Sequence, residues 1–217
     1  MVLPLTPLIP YLSYPQVSVP AKDPFVSTIK SNNYLNNALC KMECEDKGGS
    51  GNGIFLHPDD GRVLEGAVAN IAVVVRVHCE ATGGDVTVLR TPKLEGVLDG
   101  TTLLDAMGGA GGESGSSAAT AAVVGPTGTS LFGELCGGGE YGVVDRVEFC
   151  DLYPEDLYAA DEVMELSGHV CTAIVEVDGN TIKGGTPGPV ALAIAQTMTR
   201  VWADQSTTIP ISLRDYT

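Results

Sequence analysis

Two residues of opposite charge set the chemistry this chain can offer. Lys30 stands in Lys30-Ser-Asn-Asn33-Tyr34-Leu35, just ahead of a helical pattern, and Glu65 stands in Arg62-Val-Leu-Glu65-Gly66, between two apolar runs. An amine before a helix and a carboxylate at a tight strand-to-strand turn can hold opposite sides of one small planar ring. For covalent work the amine must lose its proton near neutral pH, which partial burial favours by penalising the ammonium form. On spacing alone Lys30 reads as a solvated lysine and Glu65 as a turn glutamate facing water, the usual fate of both. Cys40 and Cys44, His78-Cys79 and His169-x-Cys171 offer pairs of ligands where a zinc site needs four, so no metal site is expected and the thiols read as buried or half-exposed.

The elements that must position these residues follow from pattern. Asp23 to Ile29 reads as extended, and Asn32/Asn33 supply N-caps for a helix running to about Asp46. Leu35, Ala38, Leu39 and Met42 fall on one face of that helix, and Gly48-Gly49 ends it. Ile54-Phe-Leu and Arg62-Val-Leu flank the turn His57-Pro-Asp-Asp-Gly61, and Asn70 to Val77 is a β-branched run suited to a buried strand. Strands are also expected at Thr87 to Thr91, Val147 to Phe149, Asp161 to Met164 and Thr172 to Val177. Helices are expected from Pro154 and after Pro189, where Val190, Ile194, Met198 and Val201 form an apolar stripe.

Prolines at positions 4, 7, 10, 15 and 20 make residues 1–22 an extended arm or a strand entering a sheet. Residues 23–217 then form one large domain. Within it, about 108–139 is rich in Gly, Ala, Ser and Thr and reads as a flexible insertion, because such a segment buries too little apolar area to offset its ordering entropy. The chain has 217 residues, 44% hydrophobic and 18% charged, with a formal net charge of -15. That balance argues against a nucleic-acid backbone or an anionic membrane as partner. No apolar run approaches the roughly 20 residues of a membrane span. The proline-broken start lacks the charged n-region of a secretory leader, no Arg precedes Arg62 as a transit peptide would want, and six scattered cysteines fit a reducing compartment. A cytoplasmic setting is expected, or an organellar one if an N-terminal segment is missing.

The set Lys30-x-x-Asn33-Tyr34-Leu35, Glu65-Gly66-x-x-x-Asn70, Leu98-x-Gly100-Thr-Thr102, Asp156-Leu-Tyr-Ala-Ala-Asp-Glu-Val163 and Asp178-Gly179 with Gly188-Pro189 resembles, in order and interval, the class IV aminotransferases. These pyridoxal-phosphate enzymes include branched-chain aminotransferases, D-amino acid aminotransferases and aminodeoxychorismate lyases. The run from Val19-Pro20 through Lys30-Ser-Asn-Asn-Tyr-Leu is most similar to plant-type D-amino acid aminotransferase-like proteins. The resemblance implies an α/β fold, the family's large C-terminal domain, with a mixed sheet forming a pseudo-barrel and flanking helices. It implies pyridoxal 5'-phosphate as cofactor, an amino acid and a 2-oxo acid as substrates, and a homodimer.

The same resemblance assigns roles. Lys30 matches the lysine that bonds to the cofactor aldehyde and shuttles the Cα proton. Glu65 matches the carboxylate that pairs with the pyridine nitrogen, and Tyr34 the tyrosine near the phenolic oxygen. Leu98 matches the residue stacked on the ring, Asn70 belongs to the glutamate motif, and Thr101 and Thr102 match the phosphate-holding turn. Ser167 is the best match to a second phosphate hydroxyl, although Glu165-Leu-Ser167-Gly168 runs one residue short of the pattern. The family's small N-terminal domain, on the order of a hundred residues, and its phosphate-binding arginine have no counterpart ahead of Lys30. Three readings stay open: a transaminase whose sequence is a truncated or split version of longer relatives, a lyase releasing pyruvate from aminodeoxychorismate, and a catalytically inactive relative or interaction subunit.

Overall fold

The structure is a computed structural model and describes residues 11–15, 17–80, 83–106, 135, 143–168 and 170–203. The glycine-rich stretch at about 108–139 lies outside the described residues except for Leu135, which is 1% exposed and packs in the core.

The chain opens with β1 (Tyr11–Tyr14), α1 (Pro24–Ser27) and α2 (Leu35–Asp46), then β2 (Ile54–Leu56), β3 (Val63–Gly66), β4 (Asn70–Cys79) and β5 (Gly84–Pro92). It continues with α3 (Thr101–Ala106), β6 (Arg146–Cys150), α4 (Pro154–Ala159), β7 (Glu162–Ser167), β8 (Val170–Val177), β9 (Asn180–Thr181) and α5 (Pro189–Ala203). Six strands run in the order β1-β8-β7-β4-β5-β6, β9 joins β8, and β2 with β3 forms a separate ribbon. The β1–β8 and β5–β6 pairs are parallel and the others antiparallel, so the sheet is mixed, as the α/β reading requires.

Both faces of that sheet are covered. Along β4, Ile71 and Val73 join one core with Tyr14, Val163 and Leu157, while Ala72 and Val74 join another with Leu89, Met164 and helix α5. A strand buried on both faces has no polar face, hence the unbroken β-branched run. On α5, Val190, Ile194 and Met198 are buried as the stripe predicts, each burial stabilising by about 1.5–3 kcal/mol.

The start of α5 is capped from the sheet. Glu162 on β7 is 7% exposed, and its two carboxylate oxygens accept the backbone N–H groups of Val190 at 3.0 Å and Ala191 at 2.9 Å. Burial, the leading cause, pushes this carboxyl above the usual carboxylate range, and the two N–H groups pull back against it. A folded-state value above the unfolded one means the folded chain holds the proton more tightly. The stability this group contributes is therefore full below the ordinary carboxylate pKa and is lost as pH rises through the raised value. Glu162→Gln removes the titration, so the melting temperature of the variant relative to wild type is expected to rise with pH across that window.

Three local expectations are corrected. Asp23 to Ile29 is not extended: Pro24–Ser27 is the short helix α1, with Asp23 as its N-cap accepting the Phe25 N–H at 2.9 Å. The cue was in the sequence, since Asp followed by Pro is a cap followed by a residue pre-set for the first helical turn. Helix α2 also buries the other face. Asn37, Cys40 and Cys44 point inward, while Leu35 and Met42 are 64% and 57% exposed. The inner side admits only small groups, because a Cβ on Gly53 would stand 2.6 Å from Cys40 Sγ. The N-cap of α2 is Tyr34, with no side-chain cap from Asn32 or Asn33. Among the described residues no helix is long and apolar enough to cross a membrane.

Candidate functional site

A cavity of about 440 Å³ lies where the segment from Lys22 to Asn37 meets the β3–β4 turn, the β5–α3 loop and the β7–β8 turn. That volume suits a small molecule or cofactor, for which sites run from about 300 to 1,000 Å³. Lys30, Tyr34, Glu65, Asn70, Leu98, Thr101, Thr102 and Ser167 all line it.

The first wall is built by α1 and the start of α2. Thr28 Oγ1 donates to the Phe25 carbonyl at 3.0 Å and closes α1, after which the chain turns through Lys30 into α2. Lys30 is exposed, not half-buried as the sequence reading asks, and its Nζ lies 5.6 Å from the centroid of the Tyr34 ring. That distance is within the reach of a cation–π contact. Tyr34 is 41% exposed and so belongs to the cavity mouth, not to the core.

Glu65 forms the opposite wall. It is the third residue of β3, ahead of the turn Ala67–Ala69 and not at its tip, and it is only 6% exposed. Lys22 Nζ sits 2.9 Å from Glu65 Oε1, and the Leu98 N–H donates to Glu65 Oε2 at 3.2 Å. Gly66 N–H donates to the Ala69 carbonyl at 2.7 Å, which tightens the turn, and the Asn37 side-chain amide donates to the Ala67 carbonyl.

Asn70 couples this wall to the β5–α3 loop. Its Nδ2 donates to the Leu98 carbonyl at 2.9 Å. Its Oδ1 lies where a Cβ on Gly100 would stand, 1.9 Å away, so only glycine lets the loop approach this closely. Thr101 and Thr102 then open α3. Thr102 is 8% exposed, and its hydroxyl donates to the Gly168 carbonyl, which brings the two threonines beside Ser167 at the end of β7.

The charged side chains at the cavity are thus Lys22 and Glu65, which neutralise each other, Lys30 over its phenol ring, and Asp99, which is exposed. Lys22 and Asn37 are among the cavity residues that sequence reasoning passed over. Asn37 could have been found, because it lies three residues beyond Tyr34 on the same helix face. Nothing in the sequence distinguishes Lys22 from a solvated lysine.

A family model described as amino-transferase class IV matches residues 4–107. The chloroplastic D-amino-acid transaminase of Arabidopsis thaliana is 31% identical over 178 residues, which are 82% of this chain and 38% of that protein. The solved branched-chain amino acid aminotransferase of Escherichia coli is 25% identical, with a TM-score of 0.62 over 87% of this chain and 51% of its own. That of Thermobaculum terrenum in its PLP (holo) form is 22% identical, with a TM-score of 0.65 over 89% of this chain and 52% of its own. The chain therefore spans about half the length of these solved relatives and 38% of the Arabidopsis protein.

Proposed function

The chain belongs to the class IV aminotransferase family, and from that premise we propose that it is a pyridoxal-phosphate-dependent transaminase. It would move an amino group between a branched-chain or D-amino acid and a 2-oxo acid. The observation that supports this best is that Lys30, Glu65 and the Thr101/Thr102 turn, far apart in sequence, line one cavity of about 440 Å³.

The donor set fits the cofactor. Glu65 offers a carboxylate to a ring nitrogen, and Leu98 offers an apolar surface to a ring face. Thr101, Thr102 and Ser167 offer hydroxyls to a phosphate. Bound there, pyridoxal phosphate supplies an aldehyde that takes up the amino nitrogen and a ring that accepts the electron pair left when the Cα proton departs. Lys30 is the base that takes that proton on Nζ, and Tyr34 stands beside it to orient the amine. Asn70 fixes Leu98 through its carbonyl. Among the described residues lining the cavity there is no arginine.

A homodimer is part of the proposal. Leu35, Leu39 and Met42 of α2, 64%, 43% and 57% exposed, offer an apolar face for it, which sedimentation of the purified chain would test. The deciding experiment is expression with pyridoxal phosphate, borohydride reduction and mass mapping, followed by an assay of amino transfer to 2-oxoglutarate. A pyridoxyl mass on the peptide bearing Lys30 together with transfer supports the proposal. Absence of both overturns it, and pyruvate release from aminodeoxychorismate without transfer would reassign the chain to lyase chemistry.

A further inference from the structure

We propose that Lys22 is a displaceable counter-cation that makes the cavity selective for rings carrying a basic nitrogen. It holds the Glu65 oxygen that such a nitrogen needs, and yields it only to another cation. The inference rests on the reading of the cavity as a pyridoxal-phosphate site.

Lys22 Nζ lies 2.9 Å from Glu65 Oε1, and the two side chains are 16% and 8% exposed. The other oxygen accepts from the Leu98 N–H at 3.2 Å. A protonated ring nitrogen arriving at Glu65 would stand close to the Lys22 ammonium. Two like charges a few ångströms apart in a poorly solvated site repel strongly, so exchange wins over sharing. Lys22 is able to leave: it sits in the stretch between β1 and α1 that belongs to neither helix nor strand, on a flexible four-carbon stem with a strongly hydrated head. Replacing one cation by another keeps the buried carboxylate compensated throughout. A ring with a carbon at that position cannot make the trade, and would leave either Lys22 in its way or Glu65 without a partner.

Lys30 cannot play this part, because its ammonium is exposed and lies over Tyr34. The two lysines thus divide the work, one for bonding and one for selection.

The test is a set of absorbance titrations of the purified chain with pyridoxal phosphate and with its deaza analogue, in which C–H replaces the ring nitrogen. Wild type, Lys22→Met and Lys22→Arg are compared, with melting curves to confirm that each folds. Lys22→Met is expected to tighten pyridoxal phosphate about twofold to fivefold, the scale of a partly screened ion pair, and to leave the deaza analogue unimproved. Lys22→Arg, which grips Glu65 with a fork of donors, is expected to weaken pyridoxal phosphate. Unchanged or weaker binding of pyridoxal phosphate by Lys22→Met overturns the proposal, as does equal tightening of both ligands, which would mean simple relief of crowding. If wild type takes up no pyridoxal phosphate, the cofactor reading falls and this inference with it. If wild type binds normally and only the Lys22 effects are missing, this inference alone falls.

Discussion

Under the proposed function, Lys30→Ala is expected to remove the borohydride-reducible bond to pyridoxal phosphate and to lower amino transfer by about a thousandfold or more, since the proposal makes Lys30 both the covalent partner and the proton carrier. The geometry leaves no substitute. Among the described residues lining the cavity the only other amine is that of Lys22, held by Glu65 on the opposite wall. Lys30→Arg should be equally inactive, because a guanidinium stays protonated and cannot accept the Cα proton. Neither change should lower the melting temperature appreciably, as Lys30 is exposed and lies over the Tyr34 ring. Mass mapping after reduction, the transfer assay and a melting curve together check the prediction. Transfer that survives in Lys30→Ala, with the pyridoxyl mass on the peptide bearing Lys22, would reverse the roles given to the two lysines.

How much of this was legible beforehand depends on the kind of signal. The strands and α5 could be read because burial on both sides of β4 and on one side of α5 leaves a plain apolar pattern in Ile71 to Val75 and in Val190, Ile194 and Met198. Helix α2 could be placed but not oriented. Its large apolar residues usually mark the core side, yet Gly53 and the backbone around it come so close that the inward face takes Asn37, Cys40 and Cys44 instead. Leu35, Leu39 and Met42 stay on the outward face, 64%, 43% and 57% exposed, and amphipathic periodicity alone does not say which face of a helix turns inward. In the cavity, residues within short motifs were legible because the motif spacing is itself the constraint, as where Asn70 demands glycine at 100. Lys22 was not legible, because its place follows from the path of the chain between β1 and α1 and leaves no pattern in neighbouring residues.

Glu65→Gln is the substitution expected to damage chemistry and stability together, and the two losses can be separated. Removing the negative charge that the proposed function sets against the ring nitrogen is expected to lower turnover about a hundredfold to a thousandfold, the range seen when one preorganised electrostatic partner is lost. It also strands Lys22, whose side chain is 16% exposed, as a cation facing a neutral amide. Breaking one side of a fully buried pair costs about 3–5 kcal/mol, and the remaining access of Lys22 to water brings the expected loss here to roughly 1–2 kcal/mol. The double substitution Glu65→Gln with Lys22→Met removes the stranded cation, so the melting temperature should recover while turnover does not. That split is the reason to make both proteins: recovery of turnover along with stability would mean that Glu65 serves only to neutralise Lys22, and that the ring nitrogen has no partner on β3.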